Sequence, residues 1–383
     1  MSIQKLQEFL NSHQLKYQTI FYSPAYTAEE LNRYKQALGL ELIEAIVVEI
    51  DKQKIAIVLL SASVKINVDS LQKALDANSI KLLNQKEFEH LFPDCEFGTL
   101  PPYGGFYDMD VFWSHDLSEN KNVAYYAYSY AHLVKMKYID FEKLLNFQNK
   151  LAFLTRAKYR VEIEAIIPKL TRQELDIHED CFLGVSLENE NFSIPKLVGI
   201  TDWISKHFKK CTVLIGDSIH RITLQINQDL NESHAFSKAI ILGREYIDNA
   251  TNIFVKYTEK CHFDVIFCSD IQESEEYFKY YEQLHIFMKK NEKFANSIKS
   301  SAQEFVLRQF DKNIENFERY VELSSGYLLE ELAIFACLVK YGLSIMVYPG
   351  SLDMLEGIAE GCYPGIPDYL QQIIYVSLRL KGR

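Results

Sequence analysis

Three side chains that could take part in acyl transfer stand at the ends of short apolar runs: Ser186 closes CFLGVS, Asp217 closes VLIGD and Tyr348 closes SIMVY. A further pair sits in GYLLEELAIF, where Tyr327 and Glu331 are four residues apart and so share one face of a helix. A hydroxyl nucleophile with two phenols and a carboxylate around one crevice would suit transfer of an activated acyl group. The same residues admit plainer readings, because a serine after a strand is usually a cap and a Tyr/Glu pair at this spacing is usually a surface contact. Glu188 stands where a G-x-S-x-G elbow would place its second glycine, and no His or Asp falls at a recognisable triad spacing, which disfavours a lipase-like hydrolase.

These residues converge only if the runs that carry them are strands of one sheet. CFLGVS, CTVLIGD, FDVIFCS and LSIMVYPG are apolar without polar alternation, and long helical stretches such as PKLVGITDWISKHF separate them. That pattern predicts an α/β fold whose parallel sheet is covered by helices on both faces, with ligands outside the carboxyl ends of its strands. Upstream, TAEELNRYKQALGL predicts a helix boxed by Thr27 and Glu30, EAIVVEI and KIAIVLLSA a hairpin, VDSLQKALDA, NQKEFEHLF and IDFEKLLNF further helices, VAYYAYSY a β-rich run, and CEFGTLPPYGG a loop. The expected organisation is a compact α+β domain over residues 1–150, a helical, charged connector over 151–177, and the α/β domain over 178–383.

At 383 residues the chain exceeds the size of one hydrophobic core, roughly 250–300 residues, so at least two domains are expected. A formal charge of -11 opposes non-specific wrapping of nucleic acid, DNA included, while leaving room for a local basic patch. The stretch KKNEKFANSIKSSAQEFVLRQFDK, with Lys289, Lys290, Lys293, Lys299 and Arg308, is one candidate, and a solvated helix face is the commoner use of such a run. The seven cysteines are scattered without a CxxC pair, so reduced thiols are expected and no metal site. No signal-like start and no long apolar span appear, which predicts a soluble, cytoplasmic protein with no membrane partner. Nothing calls for a cofactor, and the oligomeric state is left open.

Taken in order and with their separations, CFLGVSLENENFS, ITDWISKHF, VLIGD, YLLEELAIF and IMVYPG resemble the cyclodipeptide synthases over about residues 175–383. The resemblance implies a Rossmann-like sheet similar to the class I tyrosyl- and tryptophanyl-tRNA synthetase catalytic domains. It also implies an aminoacyltransferase that joins aminoacyl groups from two aminoacyl-tRNAs into a 2,5-diketopiperazine by ping-pong transfer. Ser186 would then be the nucleophile, Tyr327 and Glu331 the pair that holds the aminoacyl ammonium, and Tyr348 a positioning and proton-relay phenol. Phe182, Gly184, Ile334 and Met346 match first-aminoacyl pocket positions, the bulk of Phe182 and Met346 hinting at a small side chain. Asn189 matches an asparagine of one family branch, whereas Tyr348-Pro349 marks the other, a mixed signature. The family's basic tRNA helix would align with FSKAIILGREYIDNATNIFVKY, which holds only Lys238, Arg244 and Lys256.

Residues 15–145 resemble the YbaK/ProX-type aminoacyl-tRNA editing domains through YSPAYTAEEL, the strand pair and the loop FGTLPPYGG, with Gly98, Pro101 and Gly104 matching the loop near the editing pocket. Glu44 stands where that family carries a functional lysine, so the resemblance implies weak or no deacylation, and it suggests a small residue such as alanine as one substrate. Competing readings are an aminoacyl-tRNA deacylase, in which the first domain is active, and an inert tRNA-binding module.

Overall fold

The computed structural model describes residues 3–21, 41–96, 98–145, 150–151, 155–310, 316–350 and 353–382. It divides into two compact units, Met1–Tyr159 with Ile194–Val198, and Arg160–Ser193 with Gly199–Arg383.

The first unit contains α1 (Ile3–Ser12), β1 (Tyr17–Phe21), β2 (Ile43–Ile50), β3 (Lys54–Ser61), β4 (Val64–Ile66), α2 (Val68–Ala74), β5 (Ile80–Leu82), α3 (Gln85–Phe88), β6 (Asp110–Ser114), β7 (Asn122–Ala127), β8 (Ser129–Lys137), α4 (Tyr138–Leu145), β9 (Lys150–Leu151) and β10 (Thr155–Ala157). Its sheets run β5-β2-β3-β6-β9, β1-β8-β7 and β10-β4. The expected hairpin is β2–β3, paired antiparallel from Ile43↔Ser61 to Ile50↔Lys54. Asp51 and Lys52 take left-handed φ values of 51° and 57° at its tip, the conformation that tight hairpin turns require. Trp113, Tyr125 and Phe141, all fully buried, centre one hydrophobic core. The expected helix boxed by Thr27 and Glu30 lies outside the described residues, as does the whole of YSPAYTAEEL.

The second unit is built on a six-stranded sheet ordered β11-β16-β15-β12-β13-β14. Its strands are β11 (Tyr159–Ile167), β12 (Asp180–Val185), β13 (Lys210–Ile215), β14 (His262–Phe267), β15 (Ile345–Pro349) and β16 (Ile374–Gly382). The four apolar runs singled out in the sequence are β12, β13, β14 and β15, and together with β16 they pair parallel. Between them lie α5 (Arg172–Leu175), α6 (Ile194–His207), α7 (Asp217–Gln228), α8 (Glu232–Val255), α9 (Cys268–Gln272), α10 (Glu275–Lys290), α11 (Glu292–Gln309), α12 (Phe317–Lys340) and α13 (Asp353–Ala359). Three of these start on an asparagine or serine cap: Asn231 accepts from His234 N, Ser274 from Tyr277 N and Asn291 from Phe294 N. Helix α12 has buried positions through most of its length and joins the core against Phe182, Leu214, Met346 and Tyr375.

The connector differs from the expectation of a helix. Residues 155–167 form β10 and β11, and among the described residues of the connector only Arg172–Leu175 is helical. In YRVEIEAII, charged Arg160, Glu162 and Glu164 alternate with apolar residues at period two, the strand repeat. The charges are partnered across the edge, Glu164 with Arg379 and Glu162 with Lys381 Nζ at 2.6 Å. No helix among the described residues is long and apolar enough to cross a membrane.

Candidate active site

Ser186 is the first residue beyond β12, and Tyr348 lies one residue before the end of the neighbouring β15. The register Phe182↔Met346 and Leu183↔Val347 brings these two ends together, so that Ser186 Oγ and Tyr348 Oη are 3.2 Å apart. Both side chains are partly exposed, unlike the fully buried strand residues that precede them. They line a pocket enclosing about 300 Å³ of empty space, part of it open to solvent, with Gly184, Tyr327, Glu331, Ile334, Phe335 and Met346. Gly184 keeps this space clear: a Cβ there would lie 3.5 Å from Met346 Cε and 3.9 Å from Tyr348 Cδ2, at ordinary contact distance but inside the pocket.

The helical spacing of Tyr327 and Glu331 places both in this pocket from α12. Burial pushes the Glu331 carboxyl up to about 7, and a hydrogen bond with the Tyr327 phenol only partly offsets that rise. Burial likewise raises the Tyr327 and Tyr348 phenols, with nearby Glu331 adding to it; the Ser186 hydroxyl moderates both, and the Asn189 side chain also bonds Tyr348. Every acid in the pocket is therefore held toward its neutral form, which favours a cationic guest that would restore the carboxylate.

The remaining residues predicted for the site divide. Gly184, Ile334 and Met346 line the pocket. Phe182 is not among the lining residues; it is fully buried and packs on Phe335 with ring centroids 5.7 Å apart, so Phe335 is the aromatic wall. Asn189 lies in the turn after Ser186, where its Oδ1 accepts from Asn191 N at 2.9 Å. Asp217, expected to point at the same rim, is 2 % exposed and accepts from Ser269 N at 3.0 Å and Ser269 Oγ at 2.6 Å, tying α7 to α9. Gly243 on α8 permits that arrangement, since a Cβ there would come within 2.7 Å of Asp217 Cβ.

Three residues escape any reading of local spacing. Arg221 on α7 donates from both terminal nitrogens to Glu330, at 2.9 and 2.7 Å, and Gln272 Nε2 donates to the same carboxylate at 2.9 Å. This cluster locks α7, α9 and α12 together directly beside Glu331. The candidate basic stretch is split, with Lys289 and Lys290 ending α10 and Lys293, Lys299 and Arg308 on α11, all exposed. In the first unit, Glu44 pairs with Lys158 Nζ at 3.3 Å.

A cyclodipeptide synthase family profile matches residues 169–368, over half of the chain and across the whole pocket. The chain belongs to the cyclodipeptide synthase family. As a member, it is an aminoacyltransferase that draws on aminoacyl-tRNA. An aminoacyl-tRNA editing domain profile matches residues 22–144, ahead of the synthase region. Among solved structures, a cyclodipeptide synthase from Fluoribacter dumoffii is 20 % identical, covering 59 % of this chain and 99 % of its own at a TM-score of 0.52, a likeness of fold. One from Bacillus thermoamylovorans is 20 % identical over 59 % of this chain and 97 % of its own, with a TM-score of 0.46. Another, from Candidatus Glomeribacter gigasporarum and bound to Phe-tRNAPhe, is 17 % identical over 53 % and 88 %, with a TM-score of 0.43. No curated protein matches the chain significantly.

Proposed function

We propose that the synthase region joins two aminoacyl groups, each delivered by a tRNA, into a cyclic dipeptide through an ester on Ser186. The observation that carries this reading is the 3.2 Å contact between Ser186 Oγ and Tyr348 Oη at the mouth of a pocket with one carboxylate, Glu331, among its lining residues. Ser186 Oγ attacks the ester carbonyl of the first aminoacyl-tRNA; the bond to the tRNA ribose oxygen breaks, and that oxygen leaves with a proton. Because the substrate ester is already activated, positioning and a weak proton acceptor suffice. The α-amine of the second aminoacyl-tRNA then attacks the seryl ester, freeing Ser186 and leaving a dipeptidyl-tRNA. Attack by the first residue's amine on the remaining ester closes the ring and releases the second tRNA.

Glu331 and Tyr327 hold the ammonium of the first aminoacyl group, and Tyr348 carries protons between Ser186 and the reacting amines. Asn189 supports the Tyr348 phenol. Met346, Ile334 and Phe335 offer the incoming side chain only apolar surface, and with Phe335 and Met346 both bulky the first amino acid is small and apolar, alanine being the leading choice. Expression in bacteria followed by mass spectrometry of the medium tests this: cyclic dipeptides appear with the wild type and vanish with Ser186→Ala. Their persistence in that variant would remove Ser186 as the nucleophile.

A further inference from the structure

Between Ser186 and α6 the chain makes a turn contacted from outside by Tyr246, whose hydroxyl donates to Phe192 O at 3.0 Å, by Pro349 O, which accepts from Asn191 Nδ2 at 3.4 Å, and by His220, which meets Glu188. Glu188 sits in the left-handed region at φ +57°, a conformation that side-chain-bearing residues avoid unless their surroundings impose it. His220 lies on α7, one residue after pocket-lining Ile219, and is 3 % exposed. Its Nε2 lies 3.1 Å from Glu188 Oε2, and because a carboxylate only accepts, the imidazole N–H donates. The turn that Glu188 completes returns Asn189 N to Ser186 O at 3.4 Å and sets the Asn189 side chain against the Tyr348 phenol.

We propose that His220 is a positioning residue for acyl transfer: through Glu188 it holds the left-handed turn that keeps Ser186, Asn189 and Tyr348 in register. The inference rests on the serine-ester reading above, and it assigns His220 no contact with substrate. The buried ring is anchored on α7, which the Asp217–Ser269 and Arg221–Glu330 contacts fix to α9 and α12. Glu188, half-exposed in the loop, is therefore the movable partner and His220 the fixed one. The left-handed residue needs this support only because it is not glycine, which adopts positive φ without steric penalty.

Full-length wild type, His220→Ala and His220→Ala/Glu188→Gly are mixed, enzyme in excess, with total tRNA charged with labelled amino acids. Adduct on Ser186 and cyclic dipeptide release are followed in the same samples, with thermal midpoints recorded for each protein. His220→Ala is expected to slow both rates by about 10- to 100-fold without shifting the enzyme concentration at half-saturation, as for a sub-ångström loss of alignment. Glycine at 188 is expected to restore them to within about threefold, a rescue that a general loss of folding would not show. Wild-type rates in His220→Ala, or a double variant as slow as the single, would overturn the proposal. Should the wild type release cyclic dipeptide without any adduct, the ester chemistry fails by itself, and the ratios of release rates still decide the role of His220.

Discussion

Glu330 and Glu331 are neighbours on α12, yet one carboxylate is locked in a bidentate pair with Arg221 while the other lines the pocket, hydrogen-bonded to the Tyr327 phenol. The helix thus turns one acid into a strut and leaves the next as a site for a cation. The two should respond oppositely to removal.

Loss of the Glu331 charge should stabilise the fold while disabling the enzyme. Its folded-state carboxyl, near 7 against 4.5, binds a proton more tightly than the unfolded chain does, so the native state is favoured below pH 4.5 and loses that advantage as pH rises to 7. Glu331→Gln is therefore expected to gain up to about 3 kcal/mol at pH 8 and nothing at pH 4. Denaturant melts at the two pH values check the sign, and an equal gain at both would show that desolvation of the charge is not the cause.

The same group sets a pH dependence of substrate capture. With Glu331 in its proposed role, protonation below pH 7 would remove the charge that attracts the ammonium, so binding of aminoacyl-tRNA is expected to weaken from pH 8 to pH 6 by about tenfold. Filter binding with Ser186→Ala measures it, and the added change Glu331→Gln should flatten the profile.

Arg221→Met is expected to destabilise by about 3–5 kcal/mol, because it strands Glu330, 6 % exposed, without its cation. The paired change Arg221→Met/Glu330→Met should recover most of that loss. Thermal melts of the three proteins decide, and additive losses would mean that the pair is not a unit.

Substrate size should follow the pocket wall. Gly184→Ala puts a methyl group into the space beside Met346 and Tyr348, and is expected to cut all products except those of the smallest amino acids. Met346→Ala opens the same wall and should admit larger apolar residues, with some loss of stability because Met346 is buried. Product masses from cells expressing each variant report the outcome, and an unchanged spectrum for both would place the first side chain elsewhere.

In the first unit, Glu44 engages Lys158 and supplies no free cation at its own position. Full-length Ser186→Ala is expected to hydrolyse alanyl-tRNA no faster than the uncatalysed rate. Hydrolysis well above that rate would revive an editing role for residues 22–144.

How legible the molecule was follows from where its information lies along the chain. The strands β12 to β15 are legible because a sheet buried on both faces leaves unbroken apolar runs, and the rule for strand ends places Ser186 and Tyr348 at one rim, while their adjacency comes from the β12–β15 register. Tyr327 and Glu331 were readable because helical periodicity is local. The charges of β11 suggest a solvated helical connector because their partners, Arg379 and Lys381, lie more than 200 residues later. Asp217 followed the strand-end rule in sequence but not in function, because Ser269, 52 residues on, takes its carboxylate. Likewise Arg221 and Glu330, 109 residues apart, and the His220–Glu188 contact carry no spacing signal that a single sequence could reveal.

The proposed reaction passes through an ester at Ser186. Quenching the full-length enzyme in acid during turnover with labelled aminoacyl-tRNA, followed by proteolysis and mass spectrometry, tests it directly. One aminoacyl adduct is expected on the peptide containing Ser186, chased away by added unlabelled aminoacyl-tRNA. Steady production of cyclic dipeptide with that peptide unmodified at every time point would contradict it.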